Sequence, residues 1–400
     1  MRILFTSYAA RPHFYPLVPL AWSALAAGHE VRVASTPSLM PAVAESGLPG
    51  VSVGTDIDAD AWYRSGTFVP RPVEGEPETA TWMRVTDRLA AKQFSVCEHM
   101  VDGLVEFCRR WRPDLIVHDP VTFAGPVAGQ VTGVPTVSHL YGLARLLRLD
   151  IKDWVGTEHR PGYLELFDRW GVEPLLDPAA WVDPCPPGLR WPGQREINRM
   201  QMRYIPYNGP GTEPDWGYEG SGRPRVLVTW GTSQQKKQGT EVIELFGRIA
   251  RSVAALGAEV VLTVGAMDSA HRRHLGELPD TVRTVDWVPL GMLAQRSQAI
   301  VHTGGSGVMM TAAAHGVPQL GITKIPEGRF NTERLAAVGA GRLLPQDEVS
   351  ETAVQEHVAA LLDDPGYRDG ALGLRTEIEE QPAPATLVSR LEEIAGAAAR

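Results

Sequence analysis

His13 follows a short apolar run, Arg2 to Ser7, and precedes a stretch whose apolar residues fall at helical spacing. A histidine there stands at the carboxyl edge of a sheet, near a helix N-terminus, where neutral imidazole is favoured over its cation. That suits a general base near neutral pH. A solvated loop histidine is the alternative. Asp119 ends a second apolar run, Asp114-Leu115-Ile116-Val117-His118. A carboxylate at that edge can accept an imidazole N–H, fix its tautomer and stabilise the imidazolium formed on proton abstraction. Its alternative is local: capping the helix that follows, with Pro120 at the first helical position.

Anion chemistry is written elsewhere. His302-Thr303-Gly304-Gly305-Ser306-Gly307 comes directly after Ala299-Ile300-Val301 and before a helix expected from about Val308 to His315. Glycines let backbone approach a phosphate, and a helix N-terminus offers unpaired N–H groups and positive potential. His302 is expected to add a charge-assisted hydrogen bond to the same anion. The run is neither a Walker A loop nor a dinucleotide GxGxxG, and a plain glycine turn is the alternative. Gly231-Thr232-Ser233 forms a second small-residue turn, after a strand ending at Thr229. Trp287, followed by Val288-Pro289-Leu290, offers an indole platform for a base; a core tryptophan is the alternative. Asp56-Ile57-Asp58-Ala59-Asp60 has the DxD spacing of a metal site, but it follows no buried strand and reads as a solvated loop.

These residues need strands and helices to hold them. Leu17, Leu20, Ala21, Ala24 and Leu25 stripe one helix face, Gly28 stops it, and Glu30 to Ala34 is a second strand, completing a βαβ unit. Met100, Leu104, Cys108 and Trp111 stripe another helix, ended by Arg112-Pro113, before the strand at 114–119, a helix from about Phe123 and a strand at 134–137. Residues 55–90 are polar and proline-rich, with Trp62, Tyr63, Phe68 and Trp82 scattered through them, and read as a ligand-covering loop. Residues 141–200 are similarly rich in aromatics. Tyr207 to Asp215 has linker chemistry, after which strands at 225–229, 259–264, 282–288, 299–302 and 318–322 restart the pattern. The expected architecture is α/β, two Rossmann-like parallel-sheet domains, with the ligand cleft between their carboxyl edges.

Bulk properties agree. At 400 residues, with 44% apolar and 21% charged, the chain is globular and large enough for two domains. No stretch approaches about 18 consecutive apolar residues, which excludes a membrane-spanning helix. Three cysteines give no disulfide framework, and with no secretory leader a cytoplasmic protein is expected. A balance of 38 basic and 47 acidic residues, net −9, argues against a nucleic-acid partner but not against a small anion held by amides.

The set of His13, Asp119, Tyr207-Asn208-Gly209-Pro210, Trp287-Val288-Pro289-Leu290 and His302 to Gly307 resembles the GT-B family 1 glycosyltransferases. The opening Arg2 to Ser7, Leu17 to Trp22 and Ala27 to Ser35 is similar to the actinomycete enzymes that place deoxysugars on macrolides and other polyketides. The resemblance implies a GT-B fold: an acceptor domain at 1–207, a linker at 208–223, a nucleotide-sugar domain at 224–382 and a helix from 383–400 crossing back. It implies inverting transfer from a dTDP-deoxysugar to a hydroxyl of a large apolar aglycone, without cofactor or metal. His13 would be the base and Asp119 its orienting group. Gly231, Thr232, Trp287, Val288, Leu290, His302, Gly304, Gly305, Ser306, Gly307 and Glu327 would bind donor, with Trp287 stacking thymine. Trp62, Phe68, Trp82 and Tyr141 would contact acceptor. Some members of this group need a helper protein resembling a haem-less cytochrome P-450, and homodimers are expected.

Three positions depart from the family pattern. Val308 replaces a threonine, Gly328 replaces the glutamine of a sugar-reading Asp-Gln pair, and Trp230 replaces leucine where it would narrow the site beneath the sugar. The rival readings are a catalytically silent sugar-nucleotide-binding or auxiliary protein and a GT-B sugar-nucleotide epimerase.

Overall fold

The computed structural model describes residues 1–58, 78–152, 157–218, 222–231, 240–265 and 267–398. Seven strands form the first sheet: β1 (Arg2–Thr6), β2 (Glu30–Ser35), β3 (Gly50–Ser52), β4 (Leu115–His118), β5 (Thr136–His139), β6 (Ala180–Asp183) and β7 (Arg199–Gln201). Six form the second: β8 (Arg225–Val228), β9 (Glu259–Thr263), β10 (Val282–Val285), β11 (Ala299–His302), β12 (Gln319–Thr323) and β13 (Gly341–Pro345). The spatial orders are β3-β2-β1-β4-β5-β6-β7 and β10-β9-β8-β11-β12-β13, and all pairings are parallel. Central strands such as β4 and β8 are buried along their whole length because helices cover both faces, which is why they read as unbroken apolar runs.

Strand order reverses direction at β1/β4 in the first sheet and at β8/β11 in the second. Such switch points open a crevice at the carboxyl ends of the strands. The residues after β1 and β4 are those around His13 and Asp119; the residues after β8 and β11 are Gly231 and the glycine loop.

The helix expected around Met100 begins much earlier, running Glu78–Trp111 over 34 residues, so residues 78–90 of the segment read as a loop are helix. From Glu78 to Asp102 there is no Gly or Pro to break it, and its burial stripe runs through Val85, Ala90, Val96 and Met100. The last helix, Pro384–Ala398, places Leu387 and Leu391 in the core of the first domain beside Leu20 and Ala24 of helix Val18–Ala26. Among the described residues no helix is long and apolar enough to cross a membrane.

Candidate functional site

His13 is the third residue of a one-turn helix, Arg11–Phe14, that opens directly after the β1 turn. Its Nδ1 lies 3.3 Å from Asp119 Oδ1, with the imidazole 19% exposed and the carboxylate fully buried. Asp119 Oδ1 also accepts from the Val121 N–H (3.0 Å), and Oδ2 accepts from the Tyr8 N–H (2.9 Å) and the Thr122 hydroxyl. Burial opposes the charged carboxylate. The His13 contact, the Thr122 hydroxyl and the Tyr8 amide outweigh it and hold the group below the ordinary aspartate range. An ionised carboxylate only accepts, so His13 must present Nδ1–H to it, which leaves the Nε2 lone pair as the basic site. No described residue hydrogen-bonds that nitrogen. Tyr8 and Tyr141 flank the ring, with centroids 5.2 and 4.8 Å away.

The local alternative for Asp119 is partly realised. Its side chain closes a turn onto Val121, but the next helix starts only at Ala124, so Asp119 is not that helix's cap. His13 is not a solvated loop histidine. Tyr141 is buried against it and forms the wall behind the ring.

Across the cleft, β11 ends at His302 and helix Ser306–Ala314 begins after Gly305, with no side chain capping it. The first helical bond runs from Met309 N–H to Gly305 C=O at 3.0 Å, so the amides of the first turn point outward with the positive end of the dipole. Gly304 has φ +77, and a Cβ on it would meet the backbone of Gly328 at 2.5 Å. Gly305 and Gly307 have open space beside them.

His302 differs from the charge-assisted donor expected of it. It is fully buried, its Nδ1 accepts from the Gly304 N–H (2.8 Å), and its Nε2 bonds Gln319 Oε1 (2.9 Å). Burial pushes its pKa down to about 4, against the opposing effect of the Gln319 contact, so it is neutral near pH 7. Its visible work is to shape the loop.

Trp287 is 40% exposed, not a core residue; its Nε1–H donates to Pro210 C=O at 2.8 Å, and the Arg11 guanidinium lies 5.3 Å from its ring. Val288 and Leu290 are partly buried against the apolar cluster that contains Leu293 and Ile300. Glu327 is exposed in the first turn of helix Pro326–Ala337, while Gly328 is buried with Thr303 C=O 2.5 Å from where its Cβ would be. No glutamine fits there. Trp230 is a buried core residue against Phe246, with ring centroids 3.9 Å apart. Val308 packs against the same apolar cluster as Val288. Gly231 has φ +69 and open space. Thr232, Trp62 and Phe68 lie outside the described residues, as does the side chain of Trp82. Asp56 caps Ser38 through its amide and hydroxyl, and among the described residues no cluster of three His, Cys, Asp or Glu could hold a metal.

The two halves of the site meet. A Cβ on Gly142, next to Tyr141, would lie 2.7 Å from Met310 of helix Ser306–Ala314, and Ala144 N–H donates to Asn331 Oδ1 at 3.0 Å. Sequence reasoning passed over Tyr8, Thr122, Gln319 and Asn331. Only Asn331 carries a signal, standing one helical turn after Glu327.

The family description Erythromycin biosynthesis protein CIII-like matches the chain twice, its N-terminal domain over residues 22–231 and its C-terminal domain over 247–394. The 10-deoxymethynolide desosaminyltransferase of Streptomyces venezuelae is 37% identical, covering 99% of this chain and 97% of its own. The TDP-daunosamine transferase DnrS of Streptomyces peucetius is 36% identical, with 98% and 97% coverage. The crystal structure of glycosyltransferase VinC in complex with dTDP superposes with a TM-score of 0.82 at 28% identity, covering 99% of this chain and 100% of that one. The two switch-point sheets are therefore the two halves of a GT-B fold, and the chain belongs to the EryCIII-like family of glycosyltransferases.

Proposed function

We propose that this enzyme transfers a deoxysugar from a dTDP-sugar to a hydroxyl of a polyketide-type aglycone, with inversion and without a metal. The observation that carries the reading is the His13–Asp119 pair, its free Nε2 in the same cleft as the uncapped N-terminus of helix Ser306–Ala314. The relatives' activities, desosaminyl and daunosaminyl transfer, supply the substrate classes.

The acceptor O–H proton passes to His13 Nε2 as its oxygen attacks the anomeric carbon. The bond from that carbon to the β-phosphate oxygen breaks on the opposite face, and dTDP departs. Asp119 stabilises the imidazolium that forms. The amides of Ser306 and Gly307 and the helix dipole stabilise the growing diphosphate charge, the task a divalent ion performs in other transferases. Trp287 stacks the thymine. A buried, glycine-packed position 328 beside Glu327 leaves one carboxylate to read a sugar with few hydroxyls.

The test is calorimetric titration with dTDP and UDP, with and without magnesium, followed by transfer from dTDP-deoxysugars to a panel of polyketide aglycones. Metal-independent preference for dTDP and a product of inverted anomeric configuration are expected. Failure to bind either diphosphate, or a product retaining the donor's configuration, would sink the reading.

A further inference from the structure

Helix Pro326–Ala337 carries one fully buried carboxamide that belongs to neither half of the chemistry described so far. Asn331 is 1% exposed. Its Oδ1 accepts from the backbone N–H of Ala144, in the first domain, at 3.0 Å. Its Nδ2 donates to the backbone C=O of Gly304, in the second domain's glycine loop, at 2.8 Å. An N–H can only donate and a carbonyl can only accept, so these two partners admit a single orientation of the amide.

The same sense continues inward. Gly304 N–H donates to His302 Nδ1, His302 Nε2–H donates to Gln319 Oε1, and Gln319 Nε2 donates to Met309 C=O at 3.2 Å. Two short runs of hydrogen bonds thus meet at Gly304, one on its C=O from Asn331 and one from its N–H through His302 and Gln319 to Met309. Gly304 is thereby held by both of its backbone polar groups, which fixes the buried loop in one arrangement. At its outer end, Arg145 covers Phe330 at 4.7 Å, and Trp191 meets the same ring edge-on at 5.2 Å. Three residues before Ala144 stands Tyr141, whose ring backs His13.

We propose that Asn331 is a positioning residue that sets the distance between the donor's phosphate loop and the base, with one hydrogen bond to each domain. This rests on the transferase reading above. Catalysis by in-line attack is sensitive to small errors in that distance. Nucleotide binding is much less so, because Gly304 is also fixed by Gly328 and His302.

Two variants test it. Asn331→Leu removes both hydrogen bonds while keeping the branched side-chain shape; its kcat should fall at least about tenfold while dTDP affinity stays within about threefold. Asn331→Asp keeps the acceptor but, when ionised, cannot donate to Gly304; protonated, it can. Its kcat relative to wild type should therefore fall at least about tenfold between about pH 6 and pH 9, a profile that simple destabilisation does not produce. A pH-independent ratio, a kcat for Asn331→Leu within about twofold of wild type, or a loss of dTDP affinity as large as the loss of kcat would each overturn the proposal. If Asn331→Leu fails to fold, the Asn331→Asp profile decides. Hydrogen exchange of the peptide spanning Ala144 supplies a readout free of activity: faster exchange is expected in Asn331→Leu and not in Asn331→Asp, which keeps the acceptor, and unchanged exchange in Asn331→Leu removes the bridge. A wild-type enzyme that transfers no sugar would instead defeat the transferase reading.

Discussion

Two histidines stand at the switch points of the two sheets, and their surroundings give them opposite chemistry. His13 is partly open to the cleft and faces a buried carboxylate held ionised by three further donors. A proton arriving on its far nitrogen meets a ready counter-charge. His302 is sealed inside, faces the neutral Gln319, and has both ring nitrogens occupied. A proton there would be a buried, unpaired charge. The same side chain is placed to accept a proton in one domain and is a strut in the other. Partner charge and burial make that difference.

The largest effect should separate the two directly. His13→Ala is expected to lower turnover about a thousandfold, within the usual span for general bases, and to leave dTDP affinity within about twofold. His302→Ala should weaken dTDP binding about tenfold through a loosened Gly304, with a smaller loss at the chemical step. Steady-state rates and calorimetry on both variants decide this. A loss of nucleotide affinity in His13→Ala would collapse the distinction.

Glycine substitutions sharpen the same contrast within the loop. Gly304→Ala adds a methyl in a left-handed conformation and against Gly328 backbone, so it should cost about 2 kcal/mol or more of stability as well as dTDP binding. Gly305→Ala meets nothing in the protein, so only the ligand should feel it: about tenfold weaker dTDP with unchanged denaturation. Equal destabilisation by both would show that the loop has no space kept for an anion.

The last effect is in pH. His302 and His139 are both pushed down by burial, to about 4. In the unfolded chain they bind protons below about pH 6.5 while the native state does not, so stability is lost as pH falls from 6.5 towards 4, by up to about 3 kcal/mol per group. Asp119, lowered by its partners, works at more acid pH, its contribution fading only below the ordinary aspartate value. Urea titrations at several pH values should show a shallower decline in His302→Asn. An equally steep one would mean that the native state takes up that proton.

Much of this was legible in the chain. Strands β1, β2, β4, β8, β9, β11 and β12 are apolar runs because they are covered on both faces. Gly50–Ser52, Ala180–Asp183, Arg199–Gln201 and Gly341–Pro345 were not, since three to five residues of mixed character become strands only when a neighbour pairs with them. The first turns of helix Glu78–Trp111 were hidden by the polar segment before it. In the site, His13, Asp119 and the glycine run were legible from their places at strand ends. Tyr8, Thr122, Gln319 and Asn331 were not.

Local sequence determined where the chain turns, which strands are buried, and that a glycine loop precedes a helix. These depend on a few neighbouring residues and on rules of period and cap. Only the tertiary structure decided which histidine faces a buried carboxylate, that position 328 must be glycine, and that one asparagine joins the two domains. Each of those depends on a partner brought in from far along the chain: Asp119 lies 106 residues from His13, and Ala144 lies 187 from Asn331. Proton affinity and hydrogen-bond satisfaction are properties of a surrounding, and a surrounding exists only once the chain has folded.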